Sequence, residues 1–159
     1  MQHPKNIEAR AWRGEIPIES LYTVGRGGQI FFKALKERGE LIGTRCKACA
    51  QVYVPARRFC ERCFAELTEE VKVGPEGILK SFTFCFADHD RRPLERPLPL
   101  ALVNLDGATT LFLHRLLGVS DPSQVHIGSR VRVVLKPKTK RTGSILDIEG
   151  FRLLGESDQ

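Results

Sequence analysis

Cys46-Lys-Ala-Cys49 and Cys60-Glu-Arg-Cys63 are two CxxC pairs separated by the ten residues Ala50 to Phe59, a spacing that lets four thiolates enclose one tetrahedral ion. Within each pair the short turn brings two sulfurs to the same ion and aims backbone amides at them. Four thiolates fill the coordination sphere and leave no position for water or substrate, so the expected metal folds the chain and does no Lewis-acid chemistry. Zinc is the expected ion. Iron in a rubredoxin-like site would use the same ligands, and two disulfides would use the same residues in an oxidising compartment. No apolar signal stretch follows Met1, so the expectation is a cytoplasmic protein with reduced cysteines. The residue after each second cysteine, where glycine often supplies a positive φ, is Ala50 in one knuckle and Phe64 in the other, and strain is expected at both.

Other residues with chemical capacity are scattered. Cys85 with His89 or His114 could be imagined as nucleophile and base, but no third orienting group accompanies them. The plainer expectation is Cys85 on a strand, His114 on a barrel face and His89 in a turn with Asp88 and Asp90. Among 159 residues the formal net charge is +6, which favours a polyanionic partner such as nucleic acid, an acidic protein or the phosphates of coenzyme A. The cations gather at Arg91, Arg92 and Arg96 among prolines, and along Arg130, Arg132, Lys136, Lys138, Lys140 and Arg141.

These residues need elements to hold them. Met1 to Gly28 lacks a clean period and reads as an extended or partly helical arm, with Gly25 to Gly28 as a flexible lead-in, since no strand precedes it to make a phosphate loop. Gln29–Arg38 patterns as an amphipathic helix with Ile30, Phe31, Ala34 and Leu35 on one side, closed by Gly39. Its aromatic surface must be buried against its own domain or another chain, and Phe31 and Phe32 are the candidate partner contacts. Leu41–Arg45 leads into the first knuckle as a strand and Gln51–Val54 leads out. After a boundary near Leu67–Pro75, strands are expected at Ile78–Phe86, Leu100–Leu105, Thr109–Leu113, Arg130–Lys136 and Ile145–Leu153, with a turn or single helical turn within Val119–Ile127. Asp106-Gly107 signals a hairpin and Gly150 a bulge. The expected fold is therefore mostly β: an arm and helix over 1–40, a four-cysteine zinc ribbon over 41–67, and a five-stranded OB-type barrel over 68–159. No apolar run approaches a membrane span.

Helix, ribbon and barrel in this order resemble a family of bacterial and archaeal acyl-CoA-associated OB-fold proteins with a rubredoxin-like zinc ribbon. The likeness runs from about Tyr22 to Leu154. It is carried by Gly28-Gln29-Ile30-Phe31-Phe32, by Leu41 to Cys49 into the first knuckle, by Val54 to Cys60 into the second, and by Gly77–Thr83 at the start of the barrel. The resemblance implies an auxiliary subunit of a thiolase-like enzyme, whose larger partner supplies the catalytic cysteine and histidines. Partner reactions in the family include acetyl transfer, thiolysis of 3-oxoacyl-CoA and retro-aldol cleavage of steroid side-chain thioesters. An aromatic 3-oxoacyl-CoA such as benzoylsuccinyl-CoA falls within that range.

A coenzyme A site needs convergent cations, and Arg57, Arg58, Arg91, Arg92 and Arg96 are the candidates. The competing reading is nucleic-acid binding, which OB barrels and zinc ribbons both perform and for which Lys136–Arg141 would form a basic loop. That reading requires stacking aromatics on the open barrel face. Phe82, Phe84 and Phe86 share one face of their strand but could equally be core.

Overall fold

The computed structural model describes residues 22–155, so residues 1–21 of the expected arm lie outside the described part. Helix α1 spans Gly25–Arg38 and β1 spans Leu41–Arg45; β2 (Val52–Tyr53) and β3 (Glu69–Val73) complete a small sheet in the order β2-β1-β3. Next come β4 (Glu76–Ala87), β5 (Pro93–Leu105), β6 (Leu111–Leu117), β7 (Arg130–Leu135) and β8 (Ile148–Leu153). These five close a barrel in the order β4-β5-β6-β8-β7, with β7 returning to β4. A 3₁₀ turn at Pro122–Gln124 fills the long β6–β7 connection, and Asp121 caps it by accepting from the Ser123 N–H. Mostly-β architecture, one helix, a four-cysteine ribbon and a five-stranded OB barrel are thus as the sequence indicates.

Several boundaries differ, each for a physical reason. The helix begins at Gly25, not Gln29, because Gly27 lies against the ribbon backbone: a Cβ there would sit 2.5 Å from the Ala56 carbonyl oxygen. Of the three glycines that looked like a lead-in, Gly27 is the one that meets the ribbon, while Gly25 has open space around it and Gly28 faces Val24 and Phe32. Glu69–Val73, beyond the 41–67 span expected of the ribbon, pairs with β1 along its whole length, Leu41 facing Val73 and Arg45 facing Glu69.

Thr109 and Thr110 are not part of β6. They lie along β2 instead: Val52 N–H donates to Thr109 Oγ1 (2.8 Å), Thr109 N–H to the Val52 carbonyl (2.9 Å), and Val54 N–H to Thr110 Oγ1 (3.0 Å). Ile145–Asp147 is a 3₁₀ turn preceding β8, capped by Ser144. Gly150 does sit at a register shift between β7 and β8, where a side chain would meet the Arg115 carbonyl of β6 at 2.7 Å.

The segment that reads as a proline-braced loop is largely strand. Pro93, Pro97 and Pro99 are all in β5, which beyond Leu100 has only β4 as a neighbour. On a strand with one open edge a missing N–H breaks no ladder. The far ends of β4 and β5 therefore stand out as a two-stranded arm with Asp88 to Arg92 at its turn.

One core runs through helix, ribbon and barrel. Phe31 and Leu35 of α1, Leu41 of β1, Val54 and Ala56 of the ribbon, and Val73 of β3 pack into the same cluster as the barrel residues Leu79, Val103, Phe112, Val131 and Phe151. Phe31 is 0% exposed, 6.3 Å from the Phe112 ring, which is edge-on to Phe151 at 6.2 Å. This corrects the assignment of Phe31 to a partner: its own barrel uses it. Phe32 is half-buried against the same core.

Candidate metal centre and anion cleft

The two knuckles repeat one hydrogen-bond pattern. Cys46 N–H donates to the Gln51 carbonyl and Ala50 N–H to the Cys46 carbonyl, both at 2.8 Å; Cys60 N–H donates to Ala65 (2.9 Å) and Phe64 N–H to Cys60 (3.0 Å). Closing that turn demands a left-handed residue, and Ala50 (φ 58°) and Phe64 (φ 59°) supply it without glycine's freedom. The strain expected from the sequence is present at both.

The turns bring the four sulfurs together. Cys46 and Cys63 are 3.5 Å apart, Cys49 and Cys60 3.5 Å, and Cys49 and Cys63 3.9 Å, with every pair within 4.8 Å. A tetrahedron with metal–sulfur bonds of about 2.3 Å has edges of about 3.8 Å. A disulfide bond is about 2.05 Å, so these cysteines are free thiols set as a cage, and the disulfide alternative fails. The donor set and its spacing fit one tetrahedral zinc held by Cys46, Cys49, Cys60 and Cys63.

Tyr53 is the supporting residue that pattern reading misses. Its buried hydroxyl lies 3.1 Å from Cys60 Sγ and accepts from the Glu61 N–H at 3.2 Å, so its proton is directed at the sulfur. That hydrogen bond pulls the Cys60 thiol down to about 6, and the thiolate in turn pushes Tyr53 up to about 12. At Cys46 the N–H of Cys49 is the main cause of a lowered value. The available signal was an aromatic with a polar tip seven residues before a ligand, on a strand too short to bury it otherwise.

Beside the ribbon is a cleft of roughly 190 Å³, lined by Arg26 and Gly27 of the first turn of α1, Thr44 of β1, Arg57 and Arg58, and the carboxylates Glu66 and Glu70. Thr44 Oγ1 accepts from the Arg57 N–H (2.9 Å) and donates to its carbonyl (3.0 Å), which fixes that loop. Arg57 pairs with Glu61 and lies over the Tyr53 ring at 5.4 Å; Arg58 pairs with Glu66 at 3.4 Å and lies over Phe59 at 5.5 Å. Arg26 makes no ion pair among the described residues. It was absent from the expected cation set because its proximity to Arg57 depends on Gly27 meeting Ala56.

Arg91, Arg92 and Arg96 do not line this cleft. Arg91 and Arg92 are at the turn of the projecting arm, where Asp88 accepts from the Asp90 and Arg92 N–H groups and Asp90 is 3.5 Å from the Arg92 guanidinium; Arg96 is on β5. The structure thus brings Arg57 and Arg58 together and separates them in the fold from the other three.

The basic stretch is also partly engaged. Arg132 pairs with Glu76, and Arg141 donates to the Lys136 carbonyl at 2.7 Å while its guanidinium lies on Gly39 at the C-terminal end of α1. Cys85 faces Leu98 on the outer surface of the sheet, whereas His114 faces Ala101 on the inner one. They do not form a nucleophile and base. Burial holds His114 below its ordinary value, and its Nδ1 has no hydrogen-bond partner.

Family comparisons agree with this architecture. The model described as the ChsH2 rubredoxin-like zinc ribbon domain matches residues 34–69, and that of the ChsH2 C-terminal OB-fold domain matches residues 70–136. A DUF35 domain-containing scaffold protein of Methanocaldococcus jannaschii is 32% identical over 111 residues, covering 66% of this chain and 74% of the relative. One from Methanothermobacter thermautotrophicus is 24% identical over 106 residues, covering 66% and 78%. Among solved structures, a DUF35-family protein from Sulfolobus solfataricus superposes with TM-score 0.59 at 25% identity over 81% of this chain and 84% of that one. The Ltp2-ChsH2(DUF35) aldolase gives 0.58 at 23% identity over 84% and 98%, a likeness of fold. With ribbon and barrel both matched in order, this chain belongs to the ChsH2/DUF35 family of OB-fold proteins carrying a rubredoxin-like zinc ribbon.

Proposed function

We propose that this chain is a non-catalytic accessory subunit of a thiolase-like acyl-CoA enzyme, and that the cleft between α1 and the ribbon takes phosphate groups of coenzyme A. The observation that carries the reading is the convergence of the α1 N-terminus, Arg26, Arg57 and Arg58 on one concavity, which Glu66 and Glu70 also line. Helix-terminal N–H groups and guanidinium forks are both good phosphate donors. The Arg57–Glu61 and Arg58–Glu66 pairs are exposed, and exposed pairs contribute only about 0–1 kcal/mol, so a phosphate can replace either carboxylate at little cost.

The metal site supports the non-catalytic part, because four protein sulfurs leave the ion no position for substrate. Two archaeal relatives are named scaffold proteins, which supports a role in assembly. The family resemblance adds the partner: a thiolase-like subunit that supplies the catalytic cysteine and performs thiolytic or retro-aldol cleavage of a 3-oxoacyl-CoA, aromatic acyl groups included. Reduced thiolate ligands and an acyl-CoA substrate both suit the cytoplasm.

Purification of the chain from its native host tests the reading. A stoichiometric thiolase-like subunit in the eluate is expected, while nucleic acid that is lost steeply with salt would overturn it in favour of a nucleic-acid-binding barrel. In the reconstituted complex, Arg26→Ala with Arg58→Ala should raise KM for acyl-CoA about tenfold and leave kcat in place. The pair Arg91→Ala with Arg92→Ala asks the same of the projecting arm. Unchanged KM in either variant removes that cluster from the coenzyme A site.

A further inference from the structure

The outer face of β5 and β6 carries a run of leucines where a solvated sheet face should be polar. Cross-strand register places Ser81, Leu102 and Leu113 in one row and Thr83, Leu100 and Arg115 in the next, with Cys85 and Leu98 beyond them and Asn104 with Leu111 on the other side. The alternate positions, Ala101, Val103 and Phe112, are the buried ones. An antiparallel sheet with one wet face normally alternates apolar-in and polar-out; here Leu98, Leu100, Leu102, Leu111 and Leu113 occupy outward positions of β5 and β6. Leu113 is 61% exposed and Leu111 47%. A shallow depression lined by Thr83, Leu100, Leu102 and Leu113 adjoins a second one, lined by Leu111, Leu113 and Ile145, and the shared Leu113 makes them one patch.

Resting on the accessory reading above, we infer that this leucine face is the docking surface for the catalytic subunit, which meets it with an apolar patch carrying a carboxylate opposite Arg115. Contiguous exposed apolar surface of this kind marks interfaces. The charge pattern selects the occupant. Arg115 is the only charged residue at the outward positions of these rows, is exposed, and makes no ion pair among the described residues. A second copy would bring a second Arg115 and no carboxylate, leaving two cations uncompensated in a drying contact. A partner of different sequence can supply the acid. β4 and β5 also continue past the barrel as the projecting arm, across a register shift between Cys85 and Ala87.

The test uses full-length chain and the thiolase-like subunit that co-purifies with it, identified by mass spectrometry and then produced separately. Leu113→Glu should weaken the complex at least tenfold and Arg115→Glu several-fold, the latter with loss of salt dependence, while metal content and Tm stay at wild-type values. In a Cys85→Ser background, a Leu113→Cys thiol should react quickly with a maleimide in the isolated chain and be shielded only when the catalytic subunit is added. Equal affinity of both charge variants, or a thiol that stays reactive in a formed complex, overturns the docking surface and leaves the accessory role standing. Shielding in the isolated monomer would give the face to this chain's own N-terminal residues 1–21. Shielding that follows dimer mass would give it to a second copy. Either outcome overturns the inference. Failure of the wild-type chain to bind any thiolase-like subunit overturns the accessory reading itself.

Discussion

Ala50 and Phe64 hold a backbone conformation that glycine adopts at no steric cost, at matching places in the two knuckles. The αL conformation costs an ordinary residue about 1–2 kcal/mol, and glycine's extra unfolded-state freedom returns up to about 1 kcal/mol of that. Ala50→Gly and Phe64→Gly should each leave the metal-loaded protein equally stable or raise its stability by up to about 1 kcal/mol, as read from thermal unfolding. Phe64 is 82% exposed, so its ring offers the isolated chain little packing to lose. Tyr53→Phe removes the hydroxyl from Cys60 Sγ. A hydrogen bond to a ligand typically contributes ten- to a hundredfold in metal affinity, and a competition titration with a chromophoric chelator should show a loss in that range. The four ligands were legible because CxxC spacing is local. The tyrosine was not, because its contact with Cys60 depends on how β2 folds back over the second knuckle.

At the scale of elements, the joint between β4, the β5–β6 turn and β7 is held by charge. Arg130 donates to Asp106 at 2.7 and 2.9 Å and to Glu76 at 2.9 Å, and Arg132 also pairs with Glu76. Arg132 and then Arg130 hold the Glu76 carboxyl below its ordinary range, and Arg130 does the same for Asp106. Folded values below unfolded ones mean that the unfolded chain binds more protons in acid. The pairing is therefore fully stabilising above the unfolded carboxylate pKa of about 4 and is lost as pH falls through the folded values. Arg130→Ala should lower the urea midpoint at pH 7, and the gap from wild type should narrow as pH falls below about 4. Strand existence was legible from alternation, but strand length was not. β5 runs through three prolines because its outer half has an open edge, and edge status is a property of the sheet.

The described residues share one main hydrophobic cluster, and a smaller one of Cys46, Tyr53, Cys60 and Leu67 surrounds the metal ligands. Leu41, Val54, Ala56 and Val73 belong to the ribbon and to the barrel's core at once, and Thr109 and Thr110 tie β2 to the β5–β6 turn. Chelation should therefore do more than loosen the knuckles. Hydrogen exchange should show β1–β3 losing protection first, together with a fall of Tm for the whole chain. A barrel melting at its original temperature after metal loss would show that the two parts do not share a core. Replacing Cys46 or Cys60 by Ser should give the same result with loss of bound metal.

The sequence by itself determined the ligand set, the order of helix, ribbon and barrel, and the hairpin at Asp106-Gly107, because each is written in residues close together along the chain. Only the tertiary structure decided that Phe31 is core, that Gly27 carries Arg26 to the ribbon arginines, and that β5 and β6 turn leucines outward as well as apolar residues inward. Those facts depend on which surfaces meet across long separations, and local pattern does not encode them.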